Sequence, residues 1–330
     1  MHRSAVVLVL LLAATACGSS ADDSGSAPAA ASPSPSPSPS PFVQVHTGPV
    51  GLTAGEDGSV WVVGARSDTV VRIPAGATEP DLTVEVAGTP LRATAAYGAV
   101  WVTSFEGRRL VRIDAETGAV VTSLRTGAGP EGVAAGFGSV WVVAQDAGKL
   151  LRVDPATDTV RSELPLEAGA RLVAAGPDAM YVAHYADDAV LRIDPDTETM
   201  TSSGDVCDGP QAMAVLDGRV WVTCTLSDEL VALDATTLSK VVSVPIEGSP
   251  DSVAATADGR LAVVAEQGPT LVMVDPGTTA VTVSTVLGTE RALGDRANLD
   301  LALAGDPGQQ EAWVSSFNAD RVYHLPLPRT

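Results

Sequence analysis

The sequence predicts an all-β fold, a seven-bladed β-propeller closed by an N-terminal strand that completes the last blade. Three observations lead to this prediction. An aromatic residue returns about every 40 residues, each period holds four short β-runs, and the one run missing at the C-terminus is found near the N-terminus. A fixed period of this length indicates repeated units that bury their apolar faces against their neighbours. We therefore expect the 330 residues to form one array rather than two domains.

The period is set by tryptophans that mostly stand in Val-Trp-Val frames. In chain order, the position is occupied by Trp61, Trp101, Trp141, Tyr181, Trp221, Ala262 and Trp313. These frames are apolar on both faces, as expected for a strand that is covered by a blade on either side. A tryptophan there supplies the large flat area that fills the gap between blades. We interpret these tryptophans as packing residues and assign none of them to catalysis.

One period illustrates the four strands, which we name a to d in chain order. Its β-runs are residues 131–138, 139–144, 149–154 and 159–165, separated by turn signals such as Asp-Pro-Ala-Thr-Asp. An aspartate follows strand c in most periods, namely Asp114, Asp154, Asp194, Asp234 and Asp275. Aspartate at such a corner binds nearby backbone N–H groups, so we interpret these residues as turn residues rather than as a metal array.

Counting the β-runs predicts how the ring closes. The last blade has runs at 299–304, 311–316 and 321–327, and then the chain ends. The missing d-type run is found at residues 42–46, followed by Gly48-Pro49 as other d strands are followed by Gly-x-Pro. A ring closed in this way leaves no free sheet edge between its first and last blades.

The first 41 residues carry targeting and linker signals. Residues 1–16 have a short basic start and an apolar run too short to span a bilayer, as in a signal peptide. Ala14-Thr15-Ala16-Cys17-Gly18 resembles the bacterial lipobox, although that motif usually has leucine where this chain has Ala14. The resemblance implies lipidation (palmitate and related acyl chains) of Cys17 and a lipoprotein held on the outer face of the bacterial cell membrane. The alternative is an ordinary secretory signal that is cleaved nearby.

The linker and the overall charge limit the partners. Residues 17–41 contain Ser-Pro repeats, which predict an extended polyproline II spacer before the propeller at 42–330. The formal charge of −20 repels phosphate backbones, so we expect no nucleic-acid partner. The expected partners are the membrane, through the N-terminal lipid, and an unknown small ligand or envelope protein. We expect a monomer without a cofactor or metal.

The repeat also carries a family resemblance. The pattern Gly-x-Pro-x-Gly-Val-Ala-x-Gly-x-Gly-x-Val-Trp-Val, followed by Val-x-Arg-Ile-Asp-x-x-Thr-Gly-x-Val, resembles the YVTN and NHL-like repeats of bacterial β-propellers. Residues 129–153 and 110–121 also resemble the streptogramin (virginiamycin B) lyase group. The resemblance implies a catalytic histidine and metal-holding glutamates at strand ends. At the ends of strand b in this chain, only His184 offers a base and only Glu266 an acid, so the alternative function is a metal-dependent lyase or hydrolase that uses these two residues.

Propellers usually bind ligands at the mouth of the central channel, where the loops after strand b and before strand a meet. Arginine, aromatic and amide side chains are concentrated at these positions in a chain that is otherwise acidic and poor in aromatic residues. A concave surface with a few convergent polar groups is the expected ligand-binding site. The candidates are Arg66, Arg92, Phe105, Glu131, Gln145, Arg171, His184, Tyr185, Gln211, Asp251, Glu266, Phe317 and Asn318. Ordinary solvated loop residues are the equally weighted alternative.

Two further features concern the loops. Cys207 and Cys224 flank one predicted hairpin in an exported chain, which predicts a disulfide bond. An insertion at 287–298 precedes the last blade, and its Arg291, Asp295 and Arg296 are either a lip beside the channel or part of a tolerated insertion. Together these features predict a membrane-anchored extracytoplasmic binding protein, with no enzymatic activity as the preferred interpretation. A docking platform for another envelope protein is a third hypothesis.

Overall fold

The computed structural model describes residues 42–45, 48–288 and 299–328. Within these ranges, 28 strands form seven antiparallel sheets of four strands each, which confirms the seven-bladed β-propeller. The predicted signal peptide, Cys17, the linker, His46 and the insertion residues Arg291, Asp295 and Arg296 lie outside the described residues. No helix in the described ranges is both long and apolar enough to cross a bilayer.

The strands are numbered along the chain, and each blade runs from strand a at the channel to strand d at the rim. Blades 1 and 2 contain β2 (Pro49–Ala54), β3 (Val60–Gly64), β4 (Thr69–Ile73) and β5 (Leu82–Glu85), then β6 (Pro90–Ala96), β7 (Ala99–Ser104), β8 (Arg109–Asp114) and β9 (Val120–Arg125). Blades 3 and 4 contain β10 (Pro130–Gly136), β11 (Ser139–Ala144), β12 (Lys149–Asp154) and β13 (Thr159–Pro165), then β14 (Ala170–Ala175), β15 (Met180–His184), β16 (Ala189–Ile193) and β17 (Met200–Asp205). Short 3₁₀ turns at Gln145–Ala147 and Tyr185–Asp187 follow β11 and β15.

The remaining strands complete the ring. Blades 5 and 6 contain β18 (Pro210–Leu216), β19 (Arg219–Cys224), β20 (Glu229–Asp234) and β21 (Lys240–Pro245), then β22 (Pro250–Ala255), β23 (Leu261–Ala265), β24 (Thr270–Val274) and β25 (Val281–Val286). Blade 7 contains β26 (Leu301–Ala304), β27 (Glu311–Ser316), β28 (Arg321–Pro326) and, at its outer edge, β1 (Phe42–Gln44). The a strands of neighbouring blades contact one another around the whole ring, including β26 with β2.

The N-terminal strand closes the ring as predicted. Phe42 pairs with Tyr323 and Val43 with Val322 in an antiparallel ladder. Val43 is buried against Val322 and Trp313 in an apolar cluster that also includes side chains of blade 1. The predicted ends of this blade were slightly wrong, since β26 begins at Leu301, β28 ends at Pro326 and β1 ends at Gln44. Blade 7 follows an insertion and takes its fourth strand from the N-terminus, so its strand ends could not be aligned on the 40-residue period.

The hydrophobic core lies between blades rather than inside one unit. Strand b is buried along its whole length in blades 1 to 4 and 6, and its tryptophans are completely buried. One apolar cluster joins Trp101 and Leu110 of blade 2 to Val140 and Leu151 of blade 3. The predicted packing role of the tryptophans is therefore confirmed.

An arginine on strand c covers the tryptophan and fastens each of three blades to the next. The guanidinium groups of Arg72, Arg112 and Arg152 lie 5.8, 5.2 and 4.9 Å from the tryptophan ring beside them. Each donates a hydrogen bond to the backbone carbonyl that follows the turn aspartate of the next blade, and Arg152 reaches Pro195 O at 2.7 Å. Tyr181 makes the equivalent bond from blade 4, to Ala235 O at 2.7 Å. These bonds require the turns to hold their shape.

The hydrogen bonds of the aspartates after strand c confirm that these are turn residues. Asp114 Oδ1 accepts hydrogen bonds from the backbone N–H and the hydroxyl of Thr117, and Asp234 does the same with Thr237. Such bonds to the ionised form hold the pKa of each of these carboxyls below its usual value. These carboxylates therefore bind backbone N–H groups of their own turns.

A second set of aspartates, which the sequence analysis did not single out, holds the loops at the opposite ends of the strands. Asp68, Asp188, Asp228 and Asp320 lie in b–c turns with positive φ. Each accepts a hydrogen bond from a backbone N–H just before strand a of the next blade, as Asp188 does from Gly209 at 2.9 Å. The loops at the channel mouth are thus fixed to one another around much of the ring.

Candidate functional site

Strand register places the start of strand a beside the end of strand b. Pro130 pairs with Ala144, Ala170 with His184 and Pro210 with Cys224. The b–c and d–a loops therefore share one end of the channel, which we call the channel mouth. A β-bulge follows these first pairs, so two residues in each of these three blades leave the regular ladder and present their side chains differently from the strand around them.

These bulge residues and the equivalent residues of the other blades form two rings of positions around the channel mouth. The first ring contains Val50, Leu91, Glu131, Arg171, Gln211, Asp251 and Leu299, and the second contains Gly51, Arg92, Gly132, Leu172, Ala212, Ser252 and Asp300. Small residues in the second ring allow close packing, since a Cβ on Gly51 would lie 2.3 Å from Leu91 O. The polar side chains of both rings meet in a cluster.

Two ion pairs hold the arginines of this cluster. Arg171 Nη2 lies 3.0 Å from Glu131 Oε1, and Arg171 Nε lies 3.4 Å from the other carboxylate oxygen. Arg92 Nη1 lies 3.2 Å from Asp300 Oδ2, across the blade that carries Gly51. Both arginines are largely removed from water, and the neighbouring carboxylates raise the pKa of both guanidinium groups against the effect of burial.

Asp300 is a site residue that sequence reasoning missed. Its Oδ2 also accepts a hydrogen bond from Leu52 N at 2.9 Å, and its Oδ1 accepts one from Ser252 Oγ at 3.2 Å. The insertion before blade 7 breaks the period, which hides its equivalence to Arg92. One signal in the sequence was available. Ser315 and Thr103 each lie two positions after the tryptophan of their blade, and Asp300 lies opposite Ser315 as Arg92 lies opposite Thr103.

Asp251 and Glu266 form a hydrogen-bonded carboxyl pair at the channel mouth. Asp251 is buried, and its Oδ2 accepts a hydrogen bond from Leu299 N at 2.7 Å. Burial and the neighbouring Asp251 raise the pKa of Glu266 to about 10. Burial also raises the pKa of Asp251, although Arg92 opposes that shift. Leu299 N–H and Arg92 favour the ionised form of Asp251, whereas burial beside Asp251 favours the protonated form of Glu266.

Gln211 completes the polar part of the cluster. It occupies the first ring between Arg171 and Asp251 and is 1% exposed. Its side-chain Oε1 is buried without a hydrogen-bond donor. A buried acceptor without a partner is costly, and a bound ligand is one way in which such a group becomes satisfied.

An apolar lip lies beside Gln211. Tyr185 stacks under the guanidinium group of Arg171, with 5.0 Å between the guanidinium carbon and the ring centroid. Tyr185 and Leu226 both approach Gly209, where an added Cβ would lie within 3.0 Å of each. Leu226 is 65% exposed. The channel mouth therefore offers an aromatic ring and an open leucine side chain next to its charges.

His184 does not lie beside Glu266. The sequence-based alignment of these two strand ends was wrong by one residue. Ala170 pairs with His184, whereas Pro250 pairs with Ala265, so Glu266 is equivalent to Tyr185 and not to His184. Neighbouring residues in a strand point to opposite sides, so the two candidates face different surroundings. The ring of His184 is buried, with Nε2 3.0 Å from Glu167 O and Nδ1 3.4 Å from Asp187 Oδ2.

The other predicted residues lie on the rim of the channel mouth. Arg66 stacks on Phe317 at 4.2 Å and donates a hydrogen bond to Phe317 O at 2.7 Å. Phe105 and Gln145 follow their b strands as Tyr185 and Glu266 do, and Asn318 lies in the loop after β27. All three are partly exposed. The structure thus gathers Arg92, Glu131, Arg171, Tyr185, Gln211, Asp251 and Glu266 into the cluster and leaves Arg66, Phe105, Gln145, Phe317 and Asn318 at the rim.

The predicted disulfide bond is present. Cys207 and Cys224 are joined, with 5.9 Å between their Cα atoms. The bond ties the d–a loop that leads to Gln211 to the end of β19, which supports the channel mouth in blade 5.

A cleft on the other face of the ring has charged residues that are paired with each other. It has a volume of about 700 Å³ and is lined by residues of blades 6 and 7 that include Arg260 and Glu311. Arg260 pairs with Asp258 at 2.6 Å, and Glu311 pairs with His324 at 2.6 Å. The channel mouth is therefore the stronger candidate site.

The residues present do not fit the metal that the family resemblance implies. Within the described ranges, no group of three or more His, Cys, Asp or Glu side chains is placed to hold a metal ion. At the channel mouth, Asp251 and Glu266 are bonded to each other, and His184 is turned to Glu167 and Asp187.

Comparison with known proteins supports the fold and identifies a family. The model of the virginiamycin B lyase family matches residues 39–205, while no protein with curated annotation matches by sequence. A streptogramin B lyase structure is similar at 14% identity and a TM-score of 0.72, covering 86% of this chain and 96% of the other. A catalytically inactive virginiamycin B lyase from Staphylococcus aureus with quinupristin matches at 16% identity and a TM-score of 0.73, covering 87% and 99%. Hydrazine synthase from Kuenenia stuttgartiensis matches at 12% identity and a TM-score of 0.72, covering 86% and 97%. Identities this low show a common fold alone.

Proposed function

This chain belongs to the virginiamycin B lyase family, and we propose that it is a non-enzymatic binding module that takes a ligand at the channel mouth. The observation that carries the proposal is the polar cluster in which Arg92, Glu131 and Asp251 are buried and Arg171 and Glu266 are partly buried. Buried charges are costly to a fold, and the tryptophan and arginine contacts between blades already hold this ring together. Concentrated polar groups in a concave place are what a ligand site requires.

The competing function is a lyase or hydrolase that uses His184 and Glu266. The family favours it, because the related Staphylococcus aureus protein is a lyase whose inactive form was obtained with quinupristin. The contacts of His184 argue against it here, because its Nε2 is engaged by Glu167 O and its ring is buried. A general base must reach the proton that it removes, and a buried imidazole bonded to the backbone is poorly placed to do so.

The binding function is tested by activity and by retained ligand. Purified protein is incubated with quinupristin, with and without added divalent metal ions, and the loss of quinupristin is followed by chromatography. We expect no loss above the rate without protein. Turnover that the variant His184→Ala abolishes would overturn the proposal and establish the competing one. Native mass spectrometry of the same preparation is expected to reveal a bound small molecule that the variant Arg171→Met no longer retains.

We further propose that the propeller acts outside the cytoplasm, anchored to the membrane through lipidated Cys17. The support is the signal-like segment, the small residues before Cys17 and the Ser-Pro linker. The partners of this proposal are the membrane and a small ligand, with no nucleic acid, and the protein acts as a monomer. Palmitate labelling with membrane fractionation tests the anchor, since Cys17→Ala should remove both the label and membrane retention. If membrane pull-down recovers one envelope protein in stoichiometric amount and no small ligand is retained, the docking-platform hypothesis replaces ligand binding.

A further inference from the structure

We propose that the ligand of the channel mouth carries a primary ammonium group, which binds between the Asp251–Glu266 carboxyl pair and the side-chain carbonyl of Gln211. This inference rests on the proposed binding function and adds the chemical class of the ligand to it. It is argued from charge balance, from hydrogen-bonding capacity and from the surface beside the pair.

The charge balance of the cluster leaves room for one cation. Arg171 is paired with Glu131 at 3.0 Å, and Arg92 is paired with Asp300 at 3.2 Å, so each guanidinium group already has its own carboxylate. Within the described residues, Asp251 and Glu266 have no cationic side chain at ion-pair distance. With a proton on Glu266 the cluster carries one net negative charge, and without that proton it carries two. A bound monovalent cation would therefore neutralise the cluster or replace the proton.

The state of the carboxyl pair supports the same conclusion. Burial, together with the neighbouring Asp251, raises the pKa of Glu266 to about 10, so a nearby cation would be needed for both carboxyl groups to ionise near neutral pH. Among the described residues, the other charged groups that act on the pair are Arg92 and Arg171, and Tyr185 lies against Arg171. These arginines lower the pKa values of the pair only in part, because each has its own carboxylate as first partner.

The buried Gln211 carbonyl distinguishes an ammonium group from other cations. Its Oε1 lacks a donor, and the first ring places Gln211 between the blades of Arg171 and Asp251. A primary ammonium group has three N–H donors, which match the two carboxyl groups and this carbonyl. A trimethylammonium group has the charge but no donor. A divalent metal ion takes six or more oxygen ligands, so water would have to supply those that two acids and one amide do not.

The apolar lip indicates what the ammonium group is attached to. Tyr185 and the exposed Leu226 both approach Gly209, two residues before Gln211. An alkyl chain leaving the carboxyl pair toward the lip would bury its methylene groups against these side chains. An alkylammonium ion therefore fits the site in charge, hydrogen bonding and shape.

The test uses n-butylammonium, n-butyltrimethylammonium and butanoate as probes in ligand-observed NMR titrations of the intact protein. We expect saturable binding of butylammonium and no binding of butanoate. The trimethyl analogue should bind more weakly, by roughly five- to tenfold, because it cannot donate the hydrogen bonds. The affinity for butylammonium should rise by up to about tenfold per unit between pH 7 and 9, since the cation displaces one proton while the amine remains charged.

Variants distinguish this site from general attraction of cations to an acidic protein. Glu266→Gln should abolish the pH dependence, and Gln211→Leu should weaken butylammonium at least fivefold while leaving the trimethyl analogue unchanged. The exposed Glu163→Gln makes the same side-chain substitution away from the channel mouth, where it also removes one negative charge, and it should have no effect. Calorimetry in two buffers of different ionisation enthalpy should detect the release of a proton, which Glu266→Gln removes.

Two outcomes overturn the inference. One is the absence of saturable butylammonium binding. The other is butylammonium binding by the Gln211→Leu and Glu266→Gln variants that equals binding by the wild-type protein. Saturable binding of butanoate that Arg171→Met removes would reject the ammonium group but retain the channel mouth as a ligand site. Failure of the proposed function itself appears separately, as turnover of quinupristin.

Discussion

Replacing Arg152 with methionine tests whether contacts between blades hold the ring together. Methionine keeps an apolar stem over Trp141 but removes the guanidinium group. That group donates hydrogen bonds to Ser139 Oγ at 3.0 Å and to Pro195 O at 2.7 Å, and it lies 3.3 Å from Glu198. Two hydrogen bonds from a partly exposed charged group and one cation–π contact together contribute about 2–4 kcal/mol to the free energy of unfolding.

Differential scanning calorimetry measures this loss. For a domain of this size, about 2–4 °C of Tm is lost per kcal/mol, so Arg152→Met should lower Tm by roughly 4–16 °C. Arg161→Met is the matched control, because Arg161 lies in the same blade and pairs only with Asp154 while 46% exposed. The control should change stability by at most about 1 kcal/mol. Equal losses in the two variants would refute the argument, because the contact with the next blade would then add nothing.

Three further predictions concern closure, the disulfide bond and the carboxyl pair. Deleting strand β1 (Phe42–Gln44) should lower Tm sharply, because it exposes the edge of β28 and the cluster around Val43; an unchanged Tm would contradict the closure. Replacing Cys207 and Cys224 together by serine should cost about 3 kcal/mol in urea denaturation, from a loop of 17 residues; thiol titration that finds both cysteines free in unreduced wild-type protein would rule out the bond. Glu266 binds a proton in the folded state that it loses above about pH 4.5 when unfolded, so its contribution to stability falls as pH rises toward 10. Glu266→Gln should therefore stabilise the protein by about 1–3 kcal/mol more at pH 8 than at pH 5, and an equal effect at both pH values would show that the proton is not held.

Most of the fold could be predicted because each blade repeats the same pattern of strand and turn residues. The runs of blade 3 predicted β11, β12 and β13 at their observed bounds. Turn aspartates such as Asp154 act within a few residues, so their role is visible in the chain itself. The contact of Arg152 with Pro195 was not predicted, because it joins residues 43 positions apart through the packing of two blades.

The candidate site could be predicted only in part. The residues of the first ring recur 40 positions apart from Glu131 to Asp251, so their common place at the channel mouth follows from the period. Asp300 lies after an insertion that interrupts the count. Glu266 was aligned with His184, and a slip of one residue in a strand reverses the side that a side chain faces.

The sequence by itself determined the number of blades, the strand that closes the ring and the disulfide bond, because these depend on periodicity and on residues near one another in the chain. Only the tertiary structure decided which charges meet. Asp251 helps to raise the pKa of Glu266, Arg92 pairs with Asp300, and His184 bonds to Glu167 instead of joining Glu266. These pairings depend on burial and on distances of a few ångströms between separate strands, and a linear pattern does not contain those quantities.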